Sequence, residues 1–498
     1  MINGRIIDNK YLPVYLAAFI FILINSILMA IDIFILPLLP IILIVILLAI
    51  YALDKLLLIT VFLVPFSVDL KFLVGTEPGM NLSIPTEPLL ALIMVLFILK
   101  FLRGQTIDSR IVTHPVSLAI YFNIIWIIIT SLTSTMPLVS FKFLVSRLWF
   151  VIPFYFLASL LFSEKRNIWR YLGASIIPMI FIIAYAFFRH SVDGFTDQQA
   201  SHYMVRPFYN DHTSYGAVLA MLLIVLAGLY FAFSRKSKAW VRILIISLIV
   251  YFVIALVFSY TRAAWVSLFG VLITWAVIRF RVPWPVILTA SLTSLIVIFI
   301  YIVEIKMELE KNKQTSSSDF SEHIKSILNI RHDESNLERI NRWNSAIRMF
   351  AEKPIFGWGP GTYMFLYAPF QISGEKTSIS TNAGDAGNAH SEYLGPLSES
   401  GIIGVVSVLL IVILTIRTGL RVYLNSKKRK IRIMSLAILL ALISYYIHGT
   451  LNNYLDTDKA SVLFWGFTAM LVSMDIYHKK QERCERLAVQ SKCDILQL

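Results

Sequence analysis

The stretch Asn388–Ile416, NAHSEYLGPLSESGIIGVVSVLLIVILTI, passes from a polar loop bearing His390 into a run that holds no charged residue from Gly401 onward. A run of this kind fits the core of a bilayer, which is about 30 Å thick and takes roughly 20 helical residues to cross. Apolar runs recur to either side of it along the chain. Hydrophobic residues make up 57% of the sequence and charged residues only 15%, where soluble proteins carry about 25% charged. That balance excludes a soluble protein. Runs this long point to helices, because a helix satisfies every backbone polar group within its own segment.

Fourteen segments have the length and character of membrane helices: 11–30, 33–52, 55–66, 86–102, 115–131, 147–162, 168–188, 212–233, 240–260, 262–280, 283–303, 395–417, 431–449 and 460–478. The third is short, ends near Pro65, and has the look of a re-entrant or interfacial piece. The fold class is therefore an all-α polytopic integral membrane protein with about 12–14 transmembrane helices. The first segment follows Arg5 and Lys10 without a small-residue cleavage site, which reads as a retained anchor.

The 44 lysines and arginines orient the chain. With the N-terminus inside, the inner loops and tail outnumber the short outer loops in positive charge by about four to one. Arg235–Arg242, Arg417–Arg432 and the C-terminal tail are the main contributors. Both termini are then cytoplasmic, and Cys484 and Cys493 in the tail face a reducing compartment. The basic stretch SKKRKIR, Ser426–Arg432, serves topology by default.

This orientation divides the chain into N-terminal helices (1–205), central helices (206–303), a long outer segment (304–394), C-terminal helices (395–478) and a tail (479–498). The outer segment is too long for a plain connection. Its first part, Lys311–His323, is polar. Next come Ser335 and Glu338 at capping-box spacing, and apolar residues at helical spacing through Phe350 predict an amphipathic helix ending at Pro354. The run IFGWGPGTYMF then places Gly359 and Gly361 where the backbone can approach a ligand closely or form an interfacial turn.

His390 and Ser391, nine residues, then Gly401 and Gly404 give the pattern H-S-x9-G-x-x-G. It resembles the signature of the O-antigen ligase and O-antigen polymerase family, bacterial enzymes that move glycans off a polyprenyl diphosphate carrier. The block ERINRWNSAIRMFAEKPIFGWGPGTY is similar to the family's arginine, tryptophan and Gly-x-Gly block, with Arg339 or Arg342 as its arginine. Arg262, in FSYTRAAWVSL, stands where family members carry an arginine followed by small residues. The match runs from Arg206 to Gly404.

The resemblance implies a GT-C-like, inner-membrane glycosyltransferase with its active site in the periplasm. It uses no cofactor, metal or nucleic acid. Its donor is a glycan on undecaprenyl diphosphate, and its acceptor is lipid A-core or a growing glycan. On this pattern His390 is catalytic, while Arg262 with Arg339 or Arg342 grips the diphosphate. An arginine fork suits phosphate, and histidine suits proton transfer near neutral pH.

Arg206, Asp211 and His212 at a helix entry are further candidates for substrate binding, as are Gly359 and Gly361. Asp211 is equally a plain helix N-cap. His448 and Asn452 are candidates to line the site or merely to pack. Asp456 and Asp458 form a D-x-D on the outer side, of the kind that caps a helix more often than it binds a metal. Ligase, polymerase and protein glycosylation share the histidine loop. A transporter would show charges within its helices and an internal repeat, and neither is evident.

Overall fold

The computed structural model describes residues 11–478 except 32–35, 37, 76–81, 105–106, 196, 234–237, 284, 291, 295, 298–299, 302–333, 378–379 and 382–386. The stretch Lys311–His323 and both cysteines lie outside the described residues, as do seven of the 21 residues of the 283–303 segment, within which Pro285–Ser294 is a short apolar helix. The Ser335 side chain of the capping box does too.

Two compact units divide the chain at Leu56. The first holds α1 (Leu12–Ala30) and α2 (Leu38–Tyr51). No side chain of α1 is buried although the helix is apolar all round. A helix of that kind has lipid as its solvent.

The second unit begins within α3 (Leu53–Leu63), which ends in the 3₁₀ turn Val64–Phe66. A two-residue antiparallel ribbon then pairs Val68 with Ile84 and Asp69 with Ser83. Helices follow as α4 (Thr86–Leu102), α5 (Pro115–Leu132), α6 (Pro137–Val151, continuing to Leu161), α7 (Lys165–Asp193) and α8 (His212–Phe233). After them come α9 (Ala239–Phe258), α10 (Arg262–Phe280), α11 (Glu334–Glu352), α12 (Leu394–Asn425), α13 (Arg429–His448) and α14 (Asp458–Ser473). Ten helices among the described residues are long and apolar enough to cross a membrane, and α2 is a shorter apolar helix. The protein is an all-α polytopic membrane protein.

The centre of this unit is α8, α13 and α14. Every residue of α14 is buried, and α8 packs along α13 with Gly228 against Ala437. A Cβ on Gly228 would stand 2.3 Å from that of Ala437. Small residues at a crossing let two membrane helices come close enough for their backbones to pack.

Several boundaries differ from those the sequence suggests. The expected 147–162 helix starts at Pro137 instead, with Pro at its first turn and a π-helical stretch at Ile152–Leu157 around Pro153. Lys142 therefore lies on the helix rather than ahead of it, and Arg147 lies within the helix rather than at its start. Arg147 is accommodated by an ion pair to Asp456, Nη2 to Oδ1 at 2.9 Å. Similarly α12 runs past 417 and carries Arg421, whose Nη1 meets Asp475 Oδ2 at 3.2 Å.

The expected straight helix after His390 is broken at Gly401, where φ is 68° and ψ is −167°. This break frees carbonyls of the preceding turn for other partners. Trp358 N donates to Ser398 O at 3.2 Å, Gly359 N to Glu399 O at 2.8 Å, and the Trp126 indole to Ser400 O at 2.8 Å. Ile402 N donates back to Pro354 O at 2.9 Å. A Cβ at position 401 would lie 2.0 Å from the Ile355 carbonyl oxygen. Gly401→Ala is therefore expected to lower stability by about 3 kcal/mol or more, since the backbone region is one that essentially only glycine adopts and the clash is with backbone. Thermal unfolding of the purified protein measures this.

The outer segment carries a small core of its own. As the sequence predicts, α11 is amphipathic and ends ahead of Pro354. Its Ala346 and Met349 are buried with Tyr363, Tyr367 and Ala389, and Trp358 and Phe370 pack around them. This packing fixes the loop that bears His390.

Candidate active site at one end of the helix bundle

Three elements end together near His390. At the start of α10, Arg262 follows a three-residue reversal, Ser259–Thr261, in which Tyr260 has a φ of 49°. The buried Thr261 hydroxyl donates to the His212 carbonyl at 3.1 Å, so the starts of α8 and α10 are tied to each other. Gly216 makes the approach possible: a Cβ there would sit 2.5 Å from the Thr261 hydroxyl oxygen.

At the start of α8, Asp211 does act as the N-cap, with Thr213 N donating to its Oδ1 at 3.0 Å. It has a second set of partners as well. His212 Nδ1 lies 2.9 Å from Asp211 Oδ1, and the Tyr454 hydroxyl donates to Oδ2 at 3.2 Å. Burial works to raise the Asp211 carboxyl, but the bonds from His212 and Thr213 outweigh it and hold the group far below the ordinary carboxylate range. The aspartate is therefore ionised. The His212 ring stacks on His202, centroids 4.1 Å apart. Burial, then neighbouring His212, pushes His202 down to about 4.

The two arginines of α11 have different surroundings. Arg342 is buried and committed to the protein. Its Nε meets Glu338 Oε1 at 2.7 Å, its Nη1 donates to the Asn388 carbonyl at 3.2 Å, and its guanidinium lies over the Tyr367 ring at 5.3 Å. Glu338 also accepts from the Thr377 hydroxyl at 2.9 Å. Arg339 donates from Nη1 to Asn336 at 2.9 Å, while its buried Nε has no hydrogen-bond partner among the described residues. Its charged surroundings are the site itself: Asp211 and Tyr454 act on it, and it in turn acts on Arg262. Two guanidinium groups within electrostatic reach of each other, with the ionised Asp211 close by, make up the charged part of the cluster.

His390 sits in the loop with a φ of 46°. Asn388 Oδ1 accepts from its backbone N–H at 3.0 Å, and its carbonyl accepts from the Trp343 indole at 3.3 Å. Burial, then the charges of Arg342 and Arg339, pushes the imidazole down to about 4. It is uncharged at neutral pH and able to take a proton.

Not every candidate joins this cluster. Arg206 holds its own loop together: Nε donates to Asn210 O at 3.2 Å, and the guanidinium lies over Tyr203 at 4.5 Å. Gly359 and Gly361 make their close approaches to protein, one against Ser134 and Ser140, the other against Phe143. Asp458 is buried and bonded to Ser67 and Thr86. His448 does reach the cluster, within range of Arg339 and Asp211; its Nε2 is 3.2 Å from Asn452.

Three residues of the cluster are missed by the sequence reading: His202, Tyr454 and Glu392. Glu392 is the joint between two loops. Its Oε1 accepts from the Tyr445 hydroxyl at 2.6 Å and from the amides of Tyr454 and Leu455 at 2.7 and 2.9 Å. Burial, then Asp456, pushes its carboxyl up to about 6. A glutamate two residues after the histidine, just before an apolar helix, is the one mark the sequence offers.

Fold and cluster together describe a multi-pass membrane protein whose polar side chains converge at one end of its helices. Residues 247–409 match the O-antigen ligase family model. This likeness, over about a third of the chain, suggests a membrane enzyme of the O-antigen ligase and polymerase type with a glycosyltransferase-like activity. The match includes Arg262, Arg339, Arg342, His390, Gly401 and Gly404. No curated protein matches the chain.

Proposed function

We propose that the protein is an O-antigen ligase of the bacterial inner membrane, which transfers a finished glycan from undecaprenyl diphosphate to a sugar hydroxyl of lipid A-core. The observation that carries this reading is an uncharged His390 within electrostatic reach of Arg342 and Arg339, with Arg339 in turn within reach of Arg262, all within the region that matches the family. In the reaction the acceptor hydroxyl attacks the anomeric carbon as the bond from that carbon to the diphosphate oxygen breaks, with inversion. His390 takes the hydroxyl proton. Arg262 and Arg339 hold the departing diphosphate, whose charge grows in the transition state. Asp211, ionised and anchored by Tyr454, keeps Arg339 oriented. Arg342 holds the histidine loop through Asn388. No metal step is required, and Asp456 and Asp458 are engaged by Arg147, Ser67 and Thr86.

Deletion of the gene and complementation, read on a lipopolysaccharide gel, tests this. A ligase leaves unsubstituted lipid A-core while full-length chains accumulate on the lipid carrier. Core bearing a single repeat would assign polymerisation instead, and an unchanged ladder would overturn both for that glycan.

A further inference from the structure

At the far end of the same helices, opposite His390, the structure holds a cavity of about 570 Å³ between the start of α7, the end of α8 and the start of α13. Among the described residues its lining combines four cationic side chains, Lys165, Lys428, Arg429 and Lys430, of which Lys165 and Lys428 have further partners of their own. The rest of the lining is apolar: Trp169 and Ile431 are half-buried, and Ile168, Met434 and Met474 are buried. Part of the SKKRKIR stretch thus forms one wall of a chamber.

The cations are set in place by the protein. Arg429 Nη2 donates to the Phe231 carbonyl at the end of α8, at 2.9 Å, which uses one of the five N–H groups of its guanidinium. Lys430 Nζ lies 4.4 Å from the centre of the Phe233 ring. Trp169 in turn packs edge-on against that ring at 5.1 Å. Charge that served topology alone would need only to be on the correct side, without a cavity or an apolar floor.

We infer that this cavity is a binding site for an anionic phospholipid, whose phosphate meets Arg429 and Lys430 while an acyl chain lies on the apolar floor at Trp169 and Ile431. A soluble phosphate compound would have no use for that floor. An acidic peptide would leave it uncovered as well. Basic pockets between membrane helices at the cytoplasmic side suit such headgroups, and the lysine and arginine distribution puts the cytoplasm at this end. The inference rests on the membrane placement of the chain and is independent of the glycosyl-transfer reading.

Native mass spectrometry of the full-length protein in detergent, titrated with cardiolipin or phosphatidylethanolamine, tests it. Cardiolipin should remain bound where phosphatidylethanolamine does not. The double variant Arg429→Gln/Lys430→Gln, which keeps Lys427, Lys428 and Arg432 for topology, should bind cardiolipin more than about tenfold more weakly, since each charge contributes about a fivefold factor at a membrane surface. Ala232→Phe fills the cavity with every charge intact and should weaken binding similarly. Equal retention of the two lipids, or unchanged binding by both variants, would overturn the proposal. So would displacement of cardiolipin by inorganic diphosphate, which would make the site one for a soluble phosphate compound.

Discussion

His390→Ala in the purified protein should lower single-turnover transfer by about a thousandfold, the middle of the range for loss of a general base, while the lipid-linked donor still binds. The same substitution should leave thermal stability nearly unchanged. The contacts that fix residue 390 are made by its backbone, to Asn388 and Trp343, and alanine retains both groups. The pH profile separates this role from a positioning one. Burial and the two arginines favour the neutral ring, so it gains its proton only as the pH falls through about 4. Transfer by wild type should therefore stay level from about pH 8 to about pH 5, then fall on the acid side. An unperturbed histidine would already be losing activity near its ordinary value of about 6.5. A profile with its midpoint there would mean that His390 is not held among the arginines in the working enzyme.

The helical architecture was legible because lipid leaves so few alternatives. Once a run such as Val405–Ile416 is placed in a bilayer, backbone hydrogen bonding makes it a helix. The amphipathic α11 was legible for the same reason, by its period and by the proline that follows it. Gly401 was not. The G-x-x-G pattern marked the residue, but an apolar sequence gives no sign that a helix will break to offer its carbonyls to Trp126 and to Trp358 and Gly359. That is a tertiary exchange of hydrogen bonds between segments from 40 to 274 residues apart. The start of α6 was missed because Lys142 looks like a loop charge, and Arg147 like a charge at a helix end, until Asp456 is seen opposite Arg147.

Within the site, Arg262 stood out as a charge in apolar surroundings and His390 by its spacing to Gly401 and Gly404, and Asp211 had two readings that turn out to be compatible. The capping bond uses Oδ1 and Tyr454 takes Oδ2. Tyr454 and His202 were invisible because nothing local distinguishes them. Their place depends on the reversal at Ser259–Thr261 and on Glu392 drawing the 449–455 loop toward the histidine. The ambiguity between Arg339 and Arg342 was likewise local: both lie on one helix, three residues apart, and only the positions of Glu338 and Asn388 separate them.

That separation leads to the second large effect. Arg339→Ala should reduce transfer by about 10²- to 10³-fold, the loss typical of removing one donor to a developing oxyanion. Its structural bonds are few: one to Asn336, with Nε free of any hydrogen-bond partner among the described residues. Folding should survive. Arg339→Lys keeps the charge but not the planar fork that matches a phosphate, so it should recover part of the rate and less of the affinity for undecaprenyl diphosphate. Arg342 should behave in the opposite way. Arg342→Ala leaves Glu338 as a buried carboxylate without its ion-pair partner, a change that costs about 3–5 kcal/mol, and it frees the loop at Asn388. The expected result is loss of folded protein, seen in thermal unfolding, before any kinetic effect can be resolved. Measured side by side, the two variants distinguish the arginine that meets the substrate from the one that holds the loop. If Arg339→Ala unfolded the protein while Arg342→Ala lowered only the rate, the two roles assigned here would have to be exchanged.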